Sequence, residues 1–430
     1  MTRLAFLSPL PPAATGIADY AAEVLALLSE RHQIDLFHDQ AEVDLSRLPS
    51  GCRVREVAQF LPTHAERPYD LAVFQLGNAN HHAFLYRLLS RVPGLLVLHD
   101  LVLHHSRARA FLDSPEVRAY ARDPSSPAAR DAALPRVQAY RDEVAYTYPD
   151  QAGRLDEAHL ATVGDLLPYA YPLFRIPVEH SRATAAHNEF MVEAIRAEVP
   201  SATVLRIPMA VAPAEVPAEA VAGLRRRHGI SPEEFVVGTF GLLSREKRVE
   251  TVARAVARAA ALRPRMRLLL VGPVPEPGRL ESLLRKLGVA ERTVVTGRVE
   301  FAELPGYLEV ADVAVHLRYP TARETSAALL RLLAQARPTV ISDLEHLADI
   351  PAAAVIRADP TDEEGEVARA ILRLLDNPRA RERLGRNART FVEREHSAAR
   401  CLEGYERAIQ AARQAPDPAA RPWPAHWAGC

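Results

Sequence analysis

The chain has 430 residues, 48% of them hydrophobic and 25% charged, with a formal net charge of −1 at pH 7. This length exceeds a single hydrophobic core and predicts two domains, while the near-neutral charge excludes a protein whose whole surface grips nucleic acid or an acidic membrane. Cys52, Cys401 and Cys430 show neither pairing nor metal-type spacing, which excludes a disulfide framework or zinc finger and fits a reducing cytoplasm.

The opening "MTRLAFLSPLPP" lacks the apolar length of a signal peptide, and no stretch reaches that of a membrane span. A cytoplasmic protein is expected, with the inner face of the membrane open to peripheral contact.

Short apolar runs then alternate with amphipathic segments, as in a parallel sheet covered by helices. In the first half "LAFLS", "QIDLFH", "DLAVFQLG", "GLLVLHD", "RATAAHN" and "ATVLRIP" read as strands. Helical spacing runs from Ile17 to Leu28, Ala83 to Ser90 and Glu189 to Glu198. Between about residues 106 and 175 the pattern becomes helices broken by Pro and Ser, an insertion in the first domain. Ile207 to Gly223, rich in Ala and Pro, reads as a linker.

The second half restarts with "FVVGTFG", "RLLLVGP", "TVVTGRV", "VADVAVHL", "PTVIS" and "AAVIRA" as strands. Helices are expected at 247–261, 278–286, 301–308, 324–336, 363–376, 379–395 and 398–413. The architecture predicted is two doubly wound α/β domains facing across a cleft, a form that binds ligands at the carboxyl ends of its strands.

Several strand ends carry polar groups. Gly16 precedes a helix after a Pro-rich loop, which suits either a tight turn or a close approach of an anion to free amides. "FQLGNANHH" offers Asn78, His81 and His82 as loop residues or as contacts for a polar ligand. His99 and Asp100 end the strand of "VLHDLVLHH", where a hydrogen-bonded structural histidine and a functional one are both open readings. The spacing to His104 and His105 matches no usual zinc pattern.

In the second half Gly241 ends a strand ahead of Arg245, Lys247 and Arg248. Cations at a helix start oppose its dipole, a conflict that a bound polyanion would remove. Among 53 basic residues only Lys247 and Lys286 are lysine, which draws notice to Lys247. Further on, Thr321-Ala-Arg-Glu324 fits a capping box, and Thr325 and Ser326 fall in the expected first helical turn. Glu324 then either closes the cap or accepts hydrogen bonds from sugar hydroxyls, with the two hydroxyls at a diphosphate.

Together "PPAATGIADYAAEVL", "QLGNANHH", "LVLHDLVLHH", "GTFGLLSREKRVE" and "YPTARETSAALLRLLAQARPTVIS" resemble bacterial family-4 glycosyltransferases of the GT-B fold. The resemblance implies two Rossmann-like domains: residues 1–210 on the acceptor side, 211–395 binding the nucleotide sugar, and a helix and tail over 396–430 returning to the first. It implies sugar transfer with retention from a UDP- or GDP-linked donor to a glycan, lipid-linked or protein acceptor, with no cofactor, no metal and no nucleic-acid partner.

By the same resemblance His99, Lys247 and Glu324 are the catalytic set. Gly16, Gly241, Arg245, Lys247, Thr325 and Ser326 meet the donor and its diphosphate, and Asn78, His81 and Asp100 lie on the acceptor or sugar side. Three positions depart from the family pattern: Leu332 replaces a second Glu, Leu242 an Arg, and Arg323 a Gly. A nucleotide-sugar epimerase and a non-catalytic sugar-nucleotide-binding relative are the alternatives to a transferase.

Overall fold

The computed structural model describes residues 1–79, 82–151, 153 and 166–418. His81, part of the helical insertion and the tail with Trp423, Trp427 and Cys430 lie outside these residues. The chain forms two units. Met1–Pro208, Ala322–Thr325 and the chain from Ala399 make the first; Met209–Thr321 and Ser326–Ala398 make the second.

In the first unit the strands are β1 (Thr2–Leu7), β2 (His32–His38), β3 (Arg53–Glu56), β4 (Leu71–Leu76), β5 (Leu95–Leu98), β6 (Ala183–Ala186) and β7 (Val204–Arg206). They form one parallel sheet in the order β3-β2-β1-β4-β5-β6-β7. β4 and β5 are buried at every position, as expected of strands with helices on both faces. Leu4 of β1 sits between Ile34 and Leu71, so the strand order reverses at β1 and β4. That reversal opens a crevice at the carboxyl ends, where the loops after Leu7 and Leu76 leave the sheet.

β3, "RVRE", was not expected as a strand, because it has no apolar run. It is an edge strand whose order comes from pairing with β2, and its charged side chains suit an edge.

The insertion is built from the helices His104–Leu112, Pro115–Arg122 and Pro127–Thr147. Its Ser-Pro breaks are helix starts. Ser114 and Ser126 cap the amides of Val117 and Ala129, and each is followed by a proline at the first helical position, where no amide is lost. Arg107 and Glu143 join two of these helices through a buried two-pronged ion pair of 2.8 and 2.9 Å. The Arg107 guanidinium also lies 4.1 Å from the ring centre of Tyr86.

The last described helix, Ala398–Gln414, closes the first unit. Its Tyr405 hydroxyl meets that of Tyr20 at 2.9 Å, and Glu406 lies 3.1 Å from His32. A side chain at Gly404 would come within 3.2 Å of the Ile207 backbone.

The second unit holds β8 (Phe235–Phe240), β9 (Met266–Val271), β10 (Thr293–Val295), β11 (Val313–His316), β12 (Thr339–Ser342) and β13 (Ile356–Ala358), parallel and in the order β10-β9-β8-β11-β12-β13. Its reversal falls between β8 and β11. On one face Val237 packs with Val252, Val256, Val367 and Ile371; on the other Val236 and Phe240 pack with Leu224, Tyr307 and Leu332.

Two expectations are corrected here. Part of the supposed linker is the helix Ala218–Arg227, since its Ala-rich run carries good helix formers and buries Leu224. The helix expected from Glu324 begins at Ala327, capped by Ser326, so Thr321 and Glu324 form no capping box. Among the described residues no helix is long and apolar enough to cross a membrane.

Burial makes the Arg107–Glu143 pair costly to break on one side. Arg107→Met alone should destabilise the first unit by about 3–5 kcal/mol in urea unfolding, and adding Glu143→Leu should restore most of that loss.

Candidate active site

The loop after β1 turns through Ser8, whose hydroxyl donates to the Pro9 carbonyl at 2.8 Å, and reaches the helix Gly16–Leu28. Thr15 caps that helix by accepting from the Ile17 amide at 3.3 Å. Gly16 is exposed, and a Cβ there would meet no atom within 4 Å, so the fold itself does not require glycine at this position. Gly77 differs. A Cβ there would stand 2.3 Å from Ile17 and 3.0 Å from the Asp100 carboxylate, so glycine lets the loop after β4 pack against the first helix.

Asp100 and Asn78 tie the neighbouring strand ends together. The Asn78 amide donates to Asp100 at 2.7 Å, and the Asn78 side-chain oxygen accepts from the Ser106 amide at 3.0 Å. Its Nδ2 lies 3.3 Å from His105 Nδ1. His104 points into the insertion instead, 2.5 Å from the Tyr171 carbonyl and 2.6 Å from the Tyr140 hydroxyl. Among the described residues no three His, Cys, Asp or Glu side chains gather as metal ligands.

His99 is only 5% exposed and sits in a buried polar cluster that the sequence did not reveal. Its Nε2 lies 2.8 Å from Gln75 Oε1, and its Nδ1 3.1 Å from His187 Nε2. His187 Nδ1 donates to the Ile207 carbonyl at 2.8 Å, and Gln75 donates to Tyr405 at 3.3 Å. Tyr20 packs edge-on against both imidazoles, at 5.0 and 5.1 Å between ring centres. Burial, and then the neighbouring His187 and His82, hold His99 well below the usual histidine pKa, so it is neutral at pH 7.

Ala322–Thr325 belong to the first unit, where they reach the loops after β5 and β6. The Leu101 amide donates to the Ala322 carbonyl at 2.9 Å. Asn188 Nδ2 donates to the Arg323 carbonyl and to the Thr325 hydroxyl, each at 3.1 Å. Arg323 has a left-handed backbone with φ of 59°, and its Nη1 donates to the Tyr169 carbonyl at 3.4 Å. These tertiary bonds explain why Glu324 and Thr325 lie ahead of the helix rather than in its first turn. The first unit thereby brings His99, His187, Asn188 and the Glu324 segment into neighbouring loops.

In the second unit Gly241 has φ of 103°, a conformation that glycine adopts freely. Its amide donates to Val271 at 2.9 Å, and a Cβ on Gly272 would stand 1.9 Å from the Gly241 carbonyl oxygen. The loops after β8 and β9 therefore touch backbone to backbone.

Lys247 ends the short 3-10 turn Arg245–Lys247 and is 6% exposed, its side chain running over Gly241. The expected helix start at Lys247 is moved to Val249, because Arg248 adopts a left-handed conformation with φ of 54°. His316, at the end of β11, is kept well below the usual pKa by burial and by the charges of Lys247 and Arg318. The Tyr319 amide donates to the Glu246 carbonyl at 2.8 Å, linking the two loops that leave β8 and β11.

Behind Lys247, Arg248 donates to the buried Glu363 at 2.9 Å, and Glu363 accepts from Ser342 at 2.6 Å. Ser342 in turn accepts from the Arg318 amide at 3.1 Å. Arg245 is exposed and pairs with Glu276 at 3.0 Å. Ser326 spends its oxygen on the Leu329 amide at 3.3 Å, as the cap of the helix Ala327–Ala334. Leu332 is fully buried in the apolar cluster and presents no polar atom to a ligand, while Leu242 is 55% exposed beside Gly241. Gln75, His187, Asn188, His316 and Glu363 were all missed. Their shared signal is a polar residue at or just past the end of an apolar run, or at a helix start.

Residues 234–377 match the family model described as glycosyl transferases group 1. Over 172 residues the chain is 28% identical to the alpha-D-kanosaminyltransferase of Streptomyces kanamyceticus, covering 39% of this chain and 43% of that protein. The chain spans about half the length of the curated relatives it matches. Two solved structures are similar over nearly the full length. Sucrose-phosphate synthase of Thermosynechococcus elongatus has a TM-score of 0.66 at 19% identity, covering 95% of this chain and 99% of its own. Anabaena Alr3699/HepE, in complex with UDP and glucose, has a TM-score of 0.64 at 16% identity, covering 96% and 100%. The fold, two parallel α/β units of this kind, is GT-B.

Folded His99 and His316 keep their pKa below 6.5, so below that pH the unfolded chain binds more protons than the folded chain. The stability held above pH 6.5 should be lost as pH falls, and unfolding curves from about pH 8 to 5 should show a shallower loss for His99→Gln.

Proposed function

We propose that this chain is a retaining glycosyltransferase that moves a sugar from a nucleoside-diphosphate donor to an acceptor hydroxyl. The observation that carries the reading is Lys247, a buried cation laid over the Gly241 turn where the second sheet reverses its order, inside the segment that matches glycosyl transferases group 1. A lysine laid over a glycine turn, where a ligand can approach the backbone closely, is a point charge suited to a phosphate.

The bond from the anomeric carbon to the diphosphate breaks, and negative charge grows on the leaving oxygen. Lys247 stabilises that charge more in the transition state than in the bound donor, which is how a fixed cation accelerates the step. The acceptor oxygen bonds to the anomeric carbon, and its proton passes to the leaving phosphate. Glu324 accepts hydrogen bonds from donor-sugar hydroxyls, while the amides opening the helix Ala327–Ala334 meet the phosphates and the Thr325 hydroxyl stays on Asn188. Arg245 joins them by exchanging its exposed Glu276 partner for phosphate. His99, enclosed and neutral, positions the loop after β5, and Asn78 and Asp100 shape the acceptor side.

With Lys247 neutralising the diphosphate, the reaction needs no metal, and turnover should survive a chelator. A UDP- or GDP-linked donor fits; the UDP complex of the similar Anabaena protein favours UDP. A glycan, lipid-linked or protein acceptor and a cytoplasmic setting complete the reading. The family match favours transfer over epimerisation.

Lys247→Ala and Glu324→Ala should each lower transfer and donor hydrolysis by about 100-fold or more, and near-normal rates in both would refute the proposal. Gly16→Trp provides an independent check. A Cβ at Gly16 meets no atom within 4 Å, so Gly16→Ala should keep the thermal midpoint as the control, while Gly16→Trp should block donor approach and raise the donor KM.

A further inference from the structure

We propose that Asn188 is a positioning residue, which holds Glu324 by clamping the residue on either side of it. The inference rests on the role given to Glu324 above, and it assigns work to a side chain that lies outside the proposed donor contacts.

Asn188 follows β6 and caps the helix Glu189–Glu198, its Oδ1 accepting from the Met191 amide at 2.8 Å. A cap of this kind is served about equally well by Asn, Asp or Ser. The cap therefore leaves the choice of asparagine unexplained. The other half of the carboxamide supplies the reason. Its Nδ2 carries two N–H groups, and these donate to the Arg323 carbonyl and the Thr325 hydroxyl at 3.1 Å each. Residues 323 and 325 flank Glu324.

The clamp acts on a segment whose shape needs external support. A non-glycine residue at φ of 59°, as Arg323 is, sits in a sparsely populated conformation and persists where its surroundings enforce it. The Leu101 and Val102 amides, at 2.9 and 3.4 Å from the Ala322 carbonyl, fix the entry to the segment. Asn188 fixes the turn and the exit. Asn188 is itself 6% exposed, so water does not compete freely for its two donors. The preceding residue, His187, is anchored on the Ile207 carbonyl and on His99, which makes the clamp a continuation of the buried polar cluster.

Asn188→Asp separates the two functions, because it keeps the cap acceptor and deletes both N–H donors. The variant should stay folded and keep its equilibrium binding of UDP and GDP, while kcat/KM for the sugar donor falls about 100-fold, the scale of a misplacement of about 1 Å. Asn188→Ala, which loses the cap as well, should also lower the midpoint. In a Glu324→Ala background Asn188→Asp should cost nothing further, since the group it positions is gone.

Wild-type turnover in Asn188→Asp beside an inactive Glu324→Ala overturns the clamp and leaves the proposed function standing. Full activity of Glu324→Ala overturns the function itself. An equal loss of nucleotide binding, or additive losses in the double variant, also overturns the clamp, because general damage then accounts for the effect.

Discussion

A strand buried on both faces brings its polar groups to an end where water cannot serve them, and this chain meets that demand with side chains from distant segments. His99 after β5 lies within hydrogen-bond distance of Gln75 on β4 and of His187 after β6, and His187 donates to the Ile207 carbonyl, with Tyr20 and Tyr405 closing the cluster. Inside a low-dielectric region each such bond is strong and each unmet group is expensive, so the cluster fixes the strand ends with little freedom. The loops that carry Asp100 and Asn188 start from those fixed points, and Leu101 and Asn188 hold the Glu324 segment to them.

The second unit answers the same demand with formal charge. Glu363 is buried but shared between Arg248 and Ser342, and Lys247 lies over a turn that two glycines compress. The first unit uses the imidazoles of His99 and His187, and the second sets Lys247 and Arg248 beside the imidazole of His316 and the Glu363 carboxylate. The difference arises from which residues end the strands rather than from any difference in sheet design.

Much of the fold was legible because parallel strands leave unbroken apolar runs. Twelve of the strand windows read from the sequence overlap β1, β2 and β4–β13, and the helix Glu189–Glu198 begins and ends where its spacing places it. β3 escaped because its order comes from β2 and not from its own side chains. At Thr321–Glu324 a valid local rule lost to tertiary bonds: Leu101 and Asn188 draw the segment away before a helix can form.

Of the candidate site, Gly241, Lys247 and His99 were visible by position, as residues at strand ends. Their partners were not. Gln75 and Tyr405 are 330 positions apart, and no spacing within a short window can announce such a pair. Asn188 was in view within "RATAAHN" but read as the end of a strand, because a cap and a clamp look alike until the second acceptor is known.

The helix Ala398–Gln414 has a consequence for how the protein is made. The sheet of the first unit, β1 to β7, is completed by this helix, which is synthesised only after nearly all of the second unit. Until then the nascent sheet lacks Tyr405 and Glu406, so Tyr20, Gln75 and His32 lack the partners that this helix supplies. The second unit, nearly contiguous in the chain, waits for no such distant segment, while a truncation before Tyr405 leaves the first unit without the partners of Tyr20 and Gln75.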